Sequence, residues 1–286
     1  MNRTWLVTWS ALALITLPTW AGDPFRKVNP RPIGKETEAA FRLLFQEGNY
    51  PAGVKQVDVA LRSEADEPLL HSLRASIAYL EKDFPGMLVY SNRIKDSAQK
   101  LLSKDKLRGH LYNAVGLFME AGHVVSTQGV IKGAPQGIAT LQKALEEMGK
   151  AQEVDATDPE LNLIKGFMDI LVASVLPITD LETALSSLRQ ASPEYLQWRG
   201  IAIGYRDGKK SDQALEAVDK ALAAAPQNPE LLYLKAQILW QKGGASIEEA
   251  KRLYRQAVER SGQLSASVAR QLQQECRAIT GGKCDV

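Results

Sequence analysis

Residues 195–228 are the stretch that most constrains how this chain can fold. Large and small side chains follow one another there in a fixed order, and the small ones are Ala202, Ala214 and Ala221. Large residues fill the space between two antiparallel helices, whereas alanines allow the helices to cross closely. Gly208 lies between the two halves, where it can end the first helix and provide the turn. The stretch therefore predicts a pair of packed helices.

The order of residues in this pair resembles the tetratricopeptide repeat, TPR. The positions that carry the resemblance are Tyr195, Trp198, Ile201, Ala202, Tyr205, Ala214, Val218, Ala221 and Pro226. Residues 229–262 match the same pattern well, and weaker matches can be placed from residue 34 onward. The resemblance implies an all-α fold, a right-handed α-solenoid of about six antiparallel helix pairs over residues 34–262. Residues 263–286 then supply a C-terminal capping helix and tail.

The first 21 residues have the composition of a secretory signal peptide. A single Arg3 precedes an uncharged, mostly apolar run that is too short for a comfortable membrane span, and the run ends in Thr19, Trp20 and Ala21. We expect cleavage after Ala21 and export to the periplasm or an equivalent extracytoplasmic compartment. The alternative is an uncleaved amino-terminal anchor.

Residues 22–33 form a basic leader rich in proline. An extended, solvated linker is the favoured interpretation, and a binding arm is the alternative. Removing the signal peptide with its one arginine lowers the formal charge of the chain from +2 to +1. Because a nucleic-acid-binding domain carries a strong basic excess, this balance argues against nucleic acid as a partner.

Two further segments depart from a regular repeat. About sixteen extra residues, at positions 123–138, separate the two helices of the third unit, and an insertion of this kind predicts a loop or an extended first helix. A basic run between residues 93 and 108 ends at Arg108 and is interpreted as a solvated face.

Cys276 and Cys284 are the only two cysteines, and they flank the Gly281-Gly282 turn behind the capping helix. In an oxidising compartment they predict a disulfide that ties the tail to the helix. A buried thiol at Cys276 and a free thiol at Cys284 are the alternative.

The sequence offers little catalytic chemistry. His71, His110 and His123 are the only histidines, and a phosphate-binding glycine loop, GxSxG, HExxH and CxxC are all missing. Glu120 and His123 could supply two metal ligands from one helix, which is too few for a site. We therefore expect neither an enzyme nor a bound cofactor or metal, and an enzyme built on His110 and Glu120 is the least favoured hypothesis.

The TPR resemblance implies instead that first-helix side chains line a concave groove for a peptide or protein partner. Mapped onto this chain, the groove residues are Arg42, Tyr79, His110, Asn113, Glu120, Phe167, Arg199, Arg206, Tyr233, Gln237 and Trp240. Guanidinium and amide groups could hold a peptide backbone or a carboxylate, and the aromatic rings could anchor its side chains. For Leu163, Phe167 and Ile170 the alternative is packing against an inserted segment or a second copy of the chain.

Two functions follow from this reading. The first is an exported, non-catalytic scaffold that binds a peptide or protein segment in its groove. The second is a cell-envelope structural or assembly protein that works through its convex face or by self-association. The basic surplus of residues 93–108 and the acidic surplus of residues 146–160 motivate the second.

Overall fold

The structure, a computed structural model, describes residues 22–175, 181–282 and 284, and it contains only helices and connections within those ranges. The all-α prediction is confirmed there, whereas the predicted signal peptide lies outside the described residues. The α-helices are α1 Lys35–Phe41, α2 Tyr50–Ser63, α3 Pro68–Leu80, α4 Phe84–Leu101, α5 Lys106–Val154, α6 Pro159–Val175, α7 Leu181–Leu188, α8 Glu194–Asp207, α9 Ser211–Ala224, α10 Pro229–Lys242, α11 Ile247–Glu259 and α12 Ala266–Thr280. A π-helical turn, Arg42–Gln46, continues α1.

Successive helices pack against one another in pairs, as α1 does with α2, α3 with α4, α8 with α9 and α10 with α11. The alanines of the reference stretch lie where the prediction places them, since Ala202, Ala214 and Ala221 are fully buried between α8 and α9. Helix α12 then packs on α11 and buries Leu272 and Cys276 against the last pair. The structure thus has the paired, repeat-like packing expected of the chain, followed by a terminal helix.

Side-chain caps and prolines fix where several helices begin. Asn49, Glu67, Asp83 and Asn228 each accept a hydrogen bond from a backbone N–H of the following helix, and each is followed by a proline in the first turn. A capping oxygen satisfies an N–H that has no partner within the helix, and proline at this position loses no helical hydrogen bond. These local signals set the register of successive pairs.

Gly208 ends α8 and begins the turn to α9, as predicted, but it does not supply the left-handed residue of that turn. It ends α8 with an ordinary φ of −76°, and Lys209 takes the left-handed conformation at φ 58°. A Cβ atom at Gly208 would lie 2.6 Å from Leu181 Cδ2. Gly208 therefore lies close against Leu181 at the start of α7.

The inserted residues 123–138 form helix on both sides of a sharp reversal. Helix α5 is broken at Gly129, whose φ of 77° and ψ of 164° are non-helical. The two halves run back along each other, because a Cβ at Gly133 would lie 2.9 Å from Val124 O and one at Gly137 3.0 Å from Val125 Cγ2. The insertion thus lengthens both helices of the third pair into a hairpin, whereas the sequence predicted a loop or a longer first helix only.

The leader is not a solvated linker. Phe25 and Ile33 are 3% and 2% exposed, and the Phe25 ring contacts that of Phe41 with centroids 5.1 Å apart. Phe41 is itself 3% exposed, so the two rings are buried together. The leader is an irregular segment with several bends that packs on the helices.

A buried cluster of charges holds the leader in place. Arg26 Nη1 lies 2.8 Å from Asp23 Oδ2, Arg26 Nη2 lies 3.1 Å from Glu160 Oε2, and Arg31 Nη2 lies 3.0 Å from Asp158 Oδ2. Glu160 is fully buried and also accepts a 2.6 Å hydrogen bond from Tyr112 Oη. We call these groups, together with Arg108 and Glu67, the Glu160 cluster.

Arg108 belongs to this cluster and not to a solvated face, which corrects the sequence prediction. Its side chain is 3% exposed, with Nη2 2.6 Å from Glu67 Oε1 and Nε 3.2 Å from Glu160 Oε1. Burial alone would raise the pKa of Glu160, but the Arg108 and Arg26 charges and the Tyr112 hydrogen bond outweigh it and lower that pKa. Glu160 therefore stays charged in the folded protein.

The first helix pair also contacts the second half of the chain. Asn228 Nδ2 donates to Phe45 O at 2.9 Å, while its Oδ1 caps α10 through Glu230 N. Gly48 has a φ of 64°, and a Cβ there would lie 2.5 Å from Asn228 Oδ1. The first helix pair therefore contacts the start of α10, and the array of helix pairs is closed by this contact.

Cys276 and Cys284 form a disulfide, and their Cα atoms lie 5.9 Å apart. Cys276 is completely buried and Cys284 is 5% exposed. The link ties the tail to α12, as the spacing of the cysteines suggested.

The docked leader predicts a difference between two neighbouring side chains. Phe25→Ala should lower the free energy of unfolding by about 3–5 kcal/mol, because it leaves a cavity against Phe41. Val28→Ala is the matched control, since Val28 is 77% exposed, and it should leave stability unchanged. Urea denaturation followed by circular dichroism measures both, and equal midpoints for the two variants would contradict a docked leader.

Glu160→Gln should destabilise the protein by about 3–5 kcal/mol at pH 7, because it leaves buried arginines without a counter-charge. The difference in free energy of unfolding between the variant and the wild type should become smaller at acidic pH. The folded-state pKa of Glu160 is lowered, so its stabilising effect is complete above the unfolded pKa of about 4.3 and is lost as the pH falls through the folded value. Denaturation at several pH values measures this, with the exposed Glu216→Gln as a control that should behave like wild type. A constant difference at all pH values would contradict the assignment.

Candidate functional site

The predicted groove residues of the third pair are occupied by internal contacts. His110 Nδ1 lies 2.8 Å from Glu147 Oε2, and Glu120 is paired with Lys95 at 2.6 Å. Asn113 also hydrogen-bonds to Glu147. Partial burial would raise the pKa of Glu147, but its hydrogen bonds with His110, Lys150 and Asn113 outweigh this and lower the pKa to about 2. His110 and Asn113 thus connect the first half of α5 to the second through Glu147, whereas Glu120 connects α5 to α4.

The middle of the predicted groove is filled with apolar side chains. Leu163 and Ile170 are buried, and Phe167 packs half-buried against the same core. A Cβ at Gly200 would lie 3.1 Å from Phe167 Cζ, which shows how closely α6 and α8 approach. These residues therefore pack into the core of the chain and against α8, and neither an inserted segment nor a second copy is needed to cover them.

The remaining predicted positions lie apart from one another. Arg42 is half-exposed and pairs with Glu38 at 2.7 Å, and Tyr79 is exposed on α3. Arg199 is paired with Glu230 at 2.6 Å. None of the three adjoins the residues that line the depression described next.

An open depression of about 620 Å³ lies at the C-terminal end of the array. We call it the C-terminal groove, and its lining residues are Arg206, Asp207, Gln237, Trp240, Gln241, Tyr254, Gln271 and Glu275. The predicted residues Arg206, Gln237 and Trp240 meet there because α8 and α10 are neighbouring first helices of successive pairs. Its volume is in the range of sites that bind small ligands or short peptide segments.

A carboxylate is fixed at the base of this groove. Glu275 accepts hydrogen bonds from Tyr254 Oη at 3.0 Å, Gln237 Nε2 at 3.1 Å and Gln271 Nε2 at 2.8 Å. Burial would raise the pKa of Glu275, but these donors outweigh it and the pKa is lowered. Burial and the nearby Glu275 charge raise the pKa of Tyr254, so its phenol stays protonated. Glu275 is therefore an anion whose main acceptor positions are already used.

Other groups in the groove remain available to a ligand. Arg206 donates through Nη1 to Gln237 Oε1 and through Nε to Asp207 Oδ1, both at 2.8 Å, and among the described residues its Nη2 group makes no hydrogen bond. Trp240 is 41% exposed at the rim. Tyr233, which was also predicted to line the groove, is instead 7% exposed and belongs to the core, so its hydroxyl is out of reach of a ligand. The groove thus combines a free guanidinium donor with an exposed aromatic face.

Sequence reasoning missed the contributions of α11 and α12 to this site. Gln271 and Glu275 lie one residue before Leu272 and Cys276, so they border the apolar stripe by which α12 packs on the array. A polar pair at i and i+4 beside a buried stripe was the available signal. It was overlooked because the TPR resemblance covers residues 34–262 alone.

The histidines do not converge. His110 contacts Glu147, His123 Nδ1 lies 3.0 Å from Phe84 O, and His71 Nε2 lies 2.8 Å from Ala65 O. Within the described ranges, no group of three or more His, Cys, Asp or Glu side chains is arranged to hold a metal ion. In the same ranges, every helix is too short or too polar to cross a bilayer.

Comparison with known proteins does not identify a family for this chain. The chain matches no protein-family model and no curated protein.

Proposed function

We propose that this chain is an exported, non-catalytic scaffold, a TPR-like solenoid of about six units that binds an extended peptide or protein segment. Its binding site is the C-terminal groove. One observation carries the proposal: most predicted groove positions are used in internal contacts, whereas Arg206, Gln237 and Trp240 line an open depression together. The groove presents groups that can bind a ligand.

The free groups favour a particular kind of segment. Arg206 Nη2 is a free donor, so a ligand must bring acceptors, which the carbonyl groups of an extended backbone supply. The exposed face of Trp240 would take an apolar or aromatic side chain at the rim. The Glu275 anion at the base disfavours an acidic side chain that reaches inward.

A contact at the beginning of the described chain supports export with cleavage after Ala21. The backbone nitrogen of Gly22 lies 2.7 Å from Glu38 Oε2. Cleavage would turn this N–H into an ammonium group that meets the Glu38 carboxylate and gains a charge-assisted hydrogen bond. A Cβ at position 22 would lie 1.9 Å from Glu38 Oε2, so glycine suits this position.

The export proposal is tested by expressing the full chain with its native start in a bacterial host and determining the mass of the recovered protein. We expect a periplasmic protein that begins at Gly22. Ala21→Arg should block cleavage, because signal peptidase requires a small residue there. A protein that keeps residues 1–21 and remains in the cytoplasm would contradict the proposal.

The groove proposal is tested by crosslinked capture of partners from the periplasmic fraction. Replacing both Arg206 and Trp240 with alanine should remove a bound protein that the wild type captures, because the double variant loses the guanidinium donors and the aromatic face. Tyr79→Ala is the matched control, since Tyr79 is an exposed aromatic residue of a first helix outside the groove. Circular dichroism checks that each variant is folded. Equal capture by all three proteins would exclude the groove as the binding site.

A further inference from the structure

The second half of helix α5, which follows Gly129, carries an apolar stripe that nothing in the described chain covers. Ile131, Ile138 and Leu145 are 93%, 44% and 43% exposed. They are spaced seven residues apart, so they lie almost in line along one face of the helix, over about 21 Å. We call them the α5 stripe.

The stripe is separate from the face by which this helix packs on the protein. That inner face carries Gly133, Gly137, Thr140, Ala144 and Met148, all buried. The glycines bring the two halves of the hairpin into close contact, so the first half of α5 supports the helix that carries the stripe and Pro135. Aliphatic residues seven positions apart stay on one face of a helix, where they can pack against the face of another helix.

Charges beside the stripe indicate which helix packs against it. Lys132 and Glu146 are both exposed, and neither forms a salt bridge within residues 22–175, 181–282 and 284. The neighbouring Glu147, in contrast, is bonded to His110 and Lys150. The stripe therefore has an unpaired positive charge near one end and an unpaired negative charge near the other.

We propose that a second copy of this chain covers the α5 stripe in an antiparallel, two-fold symmetric dimer centred on Ile138. A two-fold interface requires a surface that is complementary to itself. Centring the axis on Ile138 sets Ile131 opposite Leu145 of the second copy, and it places Lys132 beside Glu146 of the second copy. The two-fold axis repeats both pairings, so the same interface buries the aliphatic residues and pairs the charges.

The α5 stripe and the C-terminal groove are formed by different residues. Three aliphatic side chains and their flanks form a contact smaller than the roughly 800 Å² per partner of a standard interface. The dimer should therefore dissociate on dilution.

Sedimentation of the wild type over a range of concentrations should show a reversible monomer–dimer equilibrium. Ile138→Lys should be monomeric at every concentration, while Val89→Lys, a change at an exposed aliphatic residue of α4, should associate like the wild type. A wild type that is monomeric throughout, or an Ile138→Lys variant that still dimerises, would overturn the proposal.

Cysteine crosslinking tests the antiparallel arrangement, because both native cysteines are already paired. Ile138→Cys should form a disulfide-linked dimer, since residue 138 meets itself on the axis. Leu145→Cys alone and Ile131→Cys alone should not crosslink, whereas a mixture of the two should. Crosslinking of both variants alone would indicate a parallel pair and overturn the arrangement.

Charge reversal tests the flanking pair at low salt. Lys132→Glu should weaken the dimer roughly tenfold, and the double variant Lys132→Glu, Glu146→Lys should restore it. Failure of the second change to restore association would remove the charge pairing from the proposal. If another protein is captured through the stripe while the chain itself stays monomeric, the second copy is the wrong occupant.

Discussion

Glu160 organises the amino-terminal half of this protein. Its carboxylate is fully buried, and it receives Arg26 from the leader, Arg108 from the third helix pair and a hydrogen bond from Tyr112. A buried charge is tolerated only when opposite charges and donors surround it. The leader must therefore dock for the cluster to be complete, and its arginines supply a specific reason for a proline-rich segment to take one path across the helices.

The docked leader also contributes to the core of the helix array. Phe25 and Ile33 enter the common core, and the middle first helices bury Leu163 and Ile170 in it as well. These positions are therefore occupied by the chain's own side chains. At the C-terminal end the leader is absent, and the depression between α8, α10 and α12 stays open.

Local signals in the sequence were sufficient to predict the helices. They were not sufficient to predict contacts between residues that lie far apart in the sequence. The order of large and small residues and the glycine between the two helices each act within a few residues, so the helix pairs could be predicted. Arg108 illustrates the limit, because its partner Glu160 lies 52 positions away and a basic run is usually solvated. The same holds for the groove, where Arg206 and Trp240 were expected but Glu275 depends on how α12 docks.

Closure of the array through Asn228 affects the order in which the protein can be completed during synthesis. In an open row of repeats, the first pair can finish folding as soon as it emerges, since each repeat contacts only its neighbours. Here the backbone of Phe45 and Gln46 needs the Asn228 side chain, which is made more than 180 residues later. The earliest helices to leave the ribosome are therefore among the last to reach their final environment, and until then their apolar surface needs protection.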